Sequence, residues 1–197
     1  TATAVTALAL GVPAQQHGIT GWFTYFRELG CVAAPLPFGP RGGGSGFDRL
    51  GVSADMLLGA KPLLPELDRP CTLINPHYII DSPYSQALFG AVERRPQRNL
   101  EELFSEIEAA LATSSRPFIW SYWTELDALA HQFGIDSEEV NDHFLAIDES
   151  FSEFLDRMAG RDAAILVTAD HGLIDSCPEH TLSLEHHPPL AESLILP

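Results

Sequence analysis

The sequence has few basic residues, few cysteines and no long apolar run. Its 11 Lys and Arg residues stand against 27 Asp and Glu residues, which leaves a formal net charge of −16. A surface this acidic repels phosphate backbones and anionic lipid headgroups, which argues against binding to nucleic-acid duplexes or to a membrane. No stretch approaches the roughly 18 uninterrupted apolar residues that a membrane-spanning helix requires.

The three cysteines, Cys31, Cys71 and Cys177, are too few and too scattered for a disulfide framework or a cysteine-based zinc site. We therefore expect free thiols in a reducing compartment, and a cytoplasmic location. Residues 1–10 are apolar, but no basic residue precedes them, so this segment does not have the pattern of a secretory signal.

The size and composition are those of a globular protein. The chain has 197 residues, of which 45% are hydrophobic, and this is enough for one large domain. No repeat or linker divides it, so we expect a single domain over residues 1–197. The sequence lacks an initiator methionine and ends within the pattern of residues 194–197, which indicates a piece of a longer protein, truncated at both ends.

Apolar runs alternate with helical patterns along the chain. The predicted strands are residues 22–26, 71–75, 117–122 and 163–168. The predicted helices are residues 1–10, 100–111 with Asn99 as their cap, 125–133, and a long acidic helix from 137 that ends at Gly160. Residues 35–46 have the composition of a loop. This alternation is typical of an α/β fold, a three-layer α/β/α sandwich with a largely parallel sheet.

Two Asp/His pairs each follow a predicted buried strand. Asp127 and His131 are four residues apart, so a helix places them on one face. Asp170 and His171 come directly after residues 163–168, and Gly172 permits a turn that brings them together. Carboxylate and imidazole suit a zinc-like ion, and α/β proteins bind ligands at the carboxyl ends of their strands. A solvated helix face and a plain turn are the alternatives for each pair alone.

Three stretches of the sequence resemble the type I phosphodiesterase/nucleotide pyrophosphatase family of the alkaline phosphatase superfamily. They are residues 1–22 (TATAVTALALGVPAQQHGITGW), residues 122–131 (YWTELDALAH) and residues 165–172 (ILVTADHG). The resemblance extends from residue 1 to about residue 190, with the motifs in the family's order. It implies an alkaline phosphatase-like fold, present here in part, and a metal-dependent hydrolase of phosphate diesters or nucleotide pyrophosphates.

The resemblance also implies a site with two zinc ions. Asp127 and His131 match two ligands of one ion, and Asp170 and His171 match two ligands of the other. Counting back from His17 places Thr1 at the position of the nucleophile, with Thr3 as the alternative if the count slips by two. Two-metal centres hold their ions roughly 3.5–4 Å apart, so we expect Asp127 and Asp170 to lie within about 12 Å of each other.

The sequence also departs from the family pattern. An early aspartate ligand and a late histidine ligand have no match. His180, His186 and His187 follow His171 too closely to supply the late histidine, and they lie in what reads as a polar loop. With two ligands per ion, we expect this chain to bind zinc weakly. Trp22 stands near where well-studied diesterases carry a phosphate-contacting asparagine.

Other functions therefore stay open. These are a phosphomonoesterase, a phosphomutase, a sulfatase relative, or a catalytically silent metal-binding domain. The expected ligand is a small phosphate ester or nucleotide, and the sequence does not determine the oligomeric state. The loop that contains Arg41 could contact an anionic substrate, but a surface loop is the simpler interpretation.

Overall fold

The computed structural model describes residues 2–177, 179 and 181–194. Its helices are α1 (Ala2–Leu10), α2 (Ala14–His17), α3 (Pro83–Phe89), α4 (Leu100–Leu111), α5 (Glu125–Phe133), α6 (Glu138–Met158) and α7 (Pro188–Ser193). Its strands are β1 (Thr24–Phe26), β2 (Cys31–Ala34), β3 (Gly39–Pro40), β4 (Cys71–Pro76), β5 (Glu93–Gln97) and β6 (Phe118–Ser121). Within the described residues, no helix is both long and apolar enough to cross a membrane.

A parallel sheet with the strand order β5-β4-β6 forms the centre of the fold. Leu73 of β4 lies opposite Arg94 of β5 on one side and Trp120 of β6 on the other. All three strands run in the same direction, so their carboxyl ends meet at one edge of the sheet. This confirms the predicted mixed α/β fold with a parallel sheet.

Helices cover both faces of this sheet. Successive residues of a strand point to opposite faces, so each strand contributes side chains to both. Leu73 and Trp120 pack with residues of α1 and α3 on one face. Ile74 and Ile119 pack with residues of α4 and α6 on the other face. The three predicted layers are therefore present, and two separate apolar clusters hold them together.

A second, antiparallel sheet, with the order β1-β2-β3, packs beside α1. Its last strand, Gly39–Pro40, lies within residues 35–46, which the composition predicts to be loop throughout. That prediction is wrong for these two residues, because they pair with Ala33 and Ala34 of β2. Pairing of so short a strand depends on the neighbouring chain and not on its own propensity.

The helix caps follow the sequence signals. The Asn99 side chain accepts a hydrogen bond from the Glu102 N–H at 2.8 Å, and the Ser137 hydroxyl accepts one from the Val140 N–H at 3.3 Å. These side chains satisfy amide groups that have no partner within the helix. The predicted starts of α4 and α6 are thus confirmed.

The predicted strand over residues 163–168 is wrong. These residues have no regular secondary structure, and the side chains of Leu166 and Val167 are 91% and 70% exposed. An apolar run of this kind becomes a strand only where a sheet edge pairs with it, and no strand pairing includes this run. It is therefore not a neighbour of β6 in the sheet, although the residues that follow it do reach the site described next.

Candidate active site

The candidate site begins where β6 ends. Tyr122 continues the pairing of β6, since its N–H donates to the Ile74 carbonyl at 3.2 Å. Helix α5 starts three residues later and carries Asp127 in its first turn and His131 one turn further. The Asp127 Oδ1 and His131 Nε2 atoms are 3.6 Å apart. The helical spacing thus brings the first Asp/His pair together, as the sequence predicts.

The second Asp/His pair lies against the first. The His171 Nε2 atom is 3.6 Å from Asp127 Oδ1 and 3.7 Å from Asp170 Oδ2. Both carboxylates are therefore close to one imidazole nitrogen, well inside the spacing of about 12 Å that a two-metal centre allows. This arrangement arises although residues 163–168 do not form a strand.

The protonation of His171 can be read from its other nitrogen. Nδ1 lies 2.8 Å from the Gly172 carbonyl oxygen, which accepts hydrogen bonds only, so Nδ1 carries a proton. In the neutral ring Nε2 is then an unprotonated acceptor, and it faces two carboxylates that also carry lone pairs. A bound cation would be favourable among these lone pairs.

The environment of Asp127 also suits a cation. Its side chain is 42% exposed, but the Oδ1 atom itself is shielded from solvent and accepts no hydrogen bond within the described part of the chain. A shielded carboxylate oxygen without a donor is costly unless a cation compensates for it. Carboxylate and imidazole are also ligands that zinc prefers. The donor chemistry therefore fits a zinc-like ion.

The number of donors is smaller than a closed metal site needs. Among the described residues, no group of three or more His, Cys, Asp or Glu side chains is arranged to hold one metal ion. The His131 side chain is 80% exposed and contacts only Asp127 within this cluster. Zinc sites have at least three protein ligands, so the described residues would provide only part of such a site.

Tyr122 contacts the site, a role that the sequence analysis did not assign. Its hydroxyl donates a hydrogen bond to Asp170 Oδ2 at 3.4 Å. Burial raises the pKa of the Tyr122 phenol well above its ordinary value, and the nearby charges of Asp170 and Asp127 raise it further. Tyr122 therefore stays protonated and remains a donor to the Asp170 carboxylate. Its position at the carboxyl end of the predicted strand over residues 117–122 is the sequence feature that could have indicated a place in the site.

Tyr78 is a second residue that the sequence analysis missed. It follows β4, the central strand, and its hydroxyl forms a 2.7 Å hydrogen bond with the Thr124 hydroxyl at the start of α5. The Tyr78 side chain is mostly exposed at this edge of the sheet. Its place shortly after the predicted strand over residues 71–75 could have indicated this role, because ligands of α/β proteins bind beyond the carboxyl ends of the strands.

The remaining candidates lie elsewhere. Thr1 and His180 lie outside the described residues, so the predicted nucleophile has no described position. His186 and His187 are exposed and make no ion pair with the two Asp/His pairs. The guanidinium of Arg41 lies over the Phe23 ring, 4.9 Å from its centroid.

The fold and the site define an α/β protein with a candidate cation site at the carboxyl end of a parallel sheet. The chain belongs to the type I phosphodiesterase / nucleotide pyrophosphatase family, whose model matches residues 48–195. No significant match was found among curated proteins. The match confirms the family inferred from the sequence motifs and supports a hydrolase of small phosphate esters or nucleotides. It includes both Asp/His pairs, and it begins after Thr1.

Proposed function

We propose that this protein hydrolyses phosphate diesters or nucleotide pyrophosphates at a centre of two zinc ions. Asp127 and His131 bind one ion, and Asp170 and His171 bind the other. The observation that carries this proposal is the convergence of the Asp127 and Asp170 carboxylates on the Nε2 atom of His171. These groups come from two segments more than 40 residues apart, and they lie at the edge of the sheet where α/β proteins bind ligands.

Thr1 is the proposed nucleophile, with Thr3 as the alternative. Its hydroxyl oxygen attacks phosphorus, the bond to the leaving oxygen breaks, and the leaving group departs with the electron pair. Water then hydrolyses the phosphothreonine and regenerates the hydroxyl. Zinc, when bound, supplies positive charge that stabilises the phosphoryl oxygens and promotes ionisation of the nucleophile. Tyr122 contributes by donating a hydrogen bond that holds Asp170 in place.

A second candidate function is a metal-binding domain without catalysis. It is favoured by the number of donors, since the described residues provide two pairs and not two complete sets of ligands. Within the enzyme proposal, a phosphomonoesterase, phosphomutase or sulfatase relative remains an alternative, because Trp22 stands near where well-studied diesterases carry a phosphate-contacting asparagine. We also propose a cytoplasmic location, on the basis of the three free cysteines.

Activity assays with metal depletion test the proposal. The protein, produced with whatever flanking sequence its gene encodes, is assayed with an aryl phosphate diester, an aryl phosphate monoester and an aryl sulfate. We expect turnover of the diester that a chelator removes and zinc restores. Asp127→Ala and Asp170→Ala should each lower kcat/KM by at least about 100-fold, because loss of a ligand disables the metal centre.

Asp136→Ala is the matched control. This exposed acid lies near the end of α5, outside both Asp/His pairs, and its loss removes the same single charge. It should leave turnover within about two-fold of the wild type, as surface substitutions usually do. Stoichiometric zinc binding without turnover of any of the three substrates would instead support the silent domain.

Substitution of Thr1 tests the nucleophile separately from the metal site. Thr1→Ala should abolish turnover but leave the zinc content and the melting temperature unchanged, since only the hydroxyl is lost. Thr1→Ser should retain activity, because it keeps the attacking oxygen. Turnover near that of the wild type in Thr1→Ala, together with its loss in Thr3→Ala, would assign the nucleophile to Thr3.

A further inference from the structure

We propose that Asp175 is a positioning residue that holds residues 170–175 along α5 and so keeps His171 beside Asp127. This inference rests on the proposed metal site, and it adds a residue to which neither the sequence motifs nor the family match assigns a role. The Asp175 Oδ1 atom accepts a hydrogen bond from the Ile135 N–H at 3.1 Å. Ile135 directly follows Gly134, the residue at which α5 ends.

Residues 170–175 are thus attached to α5 at two points. At the first, His171 lies 3.6 Å from Asp127 in the first turn of the helix. At the second, Asp175 binds the backbone just beyond the last turn. Because residues 170–175 have no helix or strand of their own, these side-chain contacts act together with the hydrogen bond from Tyr122 to position Asp170 and His171.

The lengths of the two paths are compatible with these two attachments. From Asp127 to Ile135 the chain advances eight residues, which is about 12 Å along a helix. From His171 to Asp175 it advances four residues, which span at most roughly 13–14 Å when fully extended. The segment is therefore long enough to reach both ends of α5, and release of one end gives the other end freedom to move.

The two attachments differ in how they depend on a cation. At His171, an imidazole and the Asp127 carboxylate lie 3.6 Å apart, and a cation bound between them would strengthen this contact. At Asp175, a carboxylate accepts from a backbone amide, and this bond is favourable by itself. Asp175 therefore holds the ligand-bearing segment in position before metal arrives, which lowers the ordering cost of binding.

The test compares three variants by two measurements. Asp175→Ala removes the acceptor, Asp175→Asn keeps an acceptor oxygen at the same position, and Asp136→Ala removes a neighbouring charge that makes no such bond. The first measurement is the Zn²⁺ affinity of the purified chain by titration calorimetry. The second is amide hydrogen exchange of Ile135 and residues 170–175 in the metal-free protein, which does not depend on zinc.

We expect Asp175→Ala to lower the Zn²⁺ affinity by about ten-fold, as is usual for loss of a residue that supports a metal ligand, and to speed exchange at Ile135. Asp175→Asn and Asp136→Ala should resemble the wild type in both measurements. The proposal is overturned if Asp175→Ala changes neither quantity, or if Asp175→Asn and Asp175→Ala behave alike, since charge and not the hydrogen bond would then matter.

A wild-type chain that binds no Zn²⁺ would contradict the proposed metal site and, with it, the role of Asp175 toward a metal. If amide exchange at Ile135 were still faster in Asp175→Ala, the hydrogen bond between Asp175 and Ile135 would exist without supporting a metal ligand. Unchanged Zn²⁺ affinity in Asp175→Ala, beside measurable wild-type binding, would overturn only the role of Asp175. Melting curves of all three variants check that the exposed substitutions leave the fold intact.

Discussion

At the residue scale, a buried pair of hydroxyl groups links α1 to α3. The Thr6 hydroxyl donates to the Ala2 carbonyl at 2.6 Å, so the Tyr84 hydroxyl, also 2.6 Å away, donates to Thr6. Tyr84 is 2% exposed, and burial raises its pKa to about 12. The folded protein therefore requires the neutral phenol.

The first stability prediction concerns Tyr84→Phe. At neutral pH it should cost about 1 kcal/mol, the usual net value of one hydrogen bond, because Thr6 keeps its bond to Ala2. The folded pKa lies above the unfolded value of about 10, so the contribution of Tyr84 is present below pH 10 and is lost as the pH rises toward 12. Tyr84→Phe should flatten this alkaline loss in the free energy of unfolding.

The measurement is urea unfolding at several pH values from 8 to 12, which brackets the range between the two pKa values. Tyr25→Phe is the control, since Tyr25 is 47% exposed. Part of the alkaline loss should remain in Tyr84→Phe, because burial also raises the pKa of Tyr122. An equal pH dependence of the free energy of unfolding in Tyr84→Phe and Tyr25→Phe would contradict the assignment of this alkaline loss to Tyr84.

At the scale of the elements, the segment over residues 163–168 differs most from what its composition indicates. It is as apolar as a strand buried on both faces, but Leu166 is 91% exposed while Leu73 in β4 is 0% exposed. The difference is one of pairing, because β4 has a hydrogen-bonded neighbour on each side and the segment has none in the described sheets.

A pair of leucine substitutions measures this difference. Leu166→Ala should change the free energy of unfolding by less than about 0.5 kcal/mol, as is usual for exposed positions. Leu73→Ala should cost about 2–5 kcal/mol, because it leaves a cavity in the core. Chemical denaturation of both variants gives the comparison. A cost for Leu166→Ala close to that for Leu73→Ala would show that residues 163–168 are buried in solution.

At the scale of the whole molecule, acidic charge dominates. The net charge of −16 is spread over 197 residues, so its self-repulsion opposes the compact state. The two Asp/His pairs add locally to this excess, since they place two carboxylates beside one imidazole. A bound cation would therefore offset both the local and the overall charge.

Salt should consequently stabilise the protein. Screening shortens the reach of charge interactions from about 30 Å at 0.01 M ionic strength to about 8 Å at 0.15 M. We expect the melting temperature to rise between these two conditions, measured with sodium chloride and a chelator present so that no divalent metal contributes. A melting temperature that falls with salt would show that attractive ion pairs, such as the one between Arg157 and Glu108, outweigh the repulsion.

The sequence by itself determined the local structure and the identity of the candidate ligands. Helical spacing placed Asp127 and His131 on one face of α5, and capping residues marked the starts of α4 and α6. These features depend on residues within one or two turns of each other, so a single sequence contains them. The family motifs added the order of the two Asp/His pairs along the chain.

Only the tertiary structure decided which strands pair and which distant side chains meet. The charged strand β5 has no apolar pattern and exists because it lies along the edge of β4, while the apolar residues 163–168 remain outside the sheet. The contacts of Tyr122 with Asp170 and of Asp175 with Ile135 join residues 48 and 40 positions apart. Strand pairing and such bonds depend on which segments meet in space, and no local propensity specifies that.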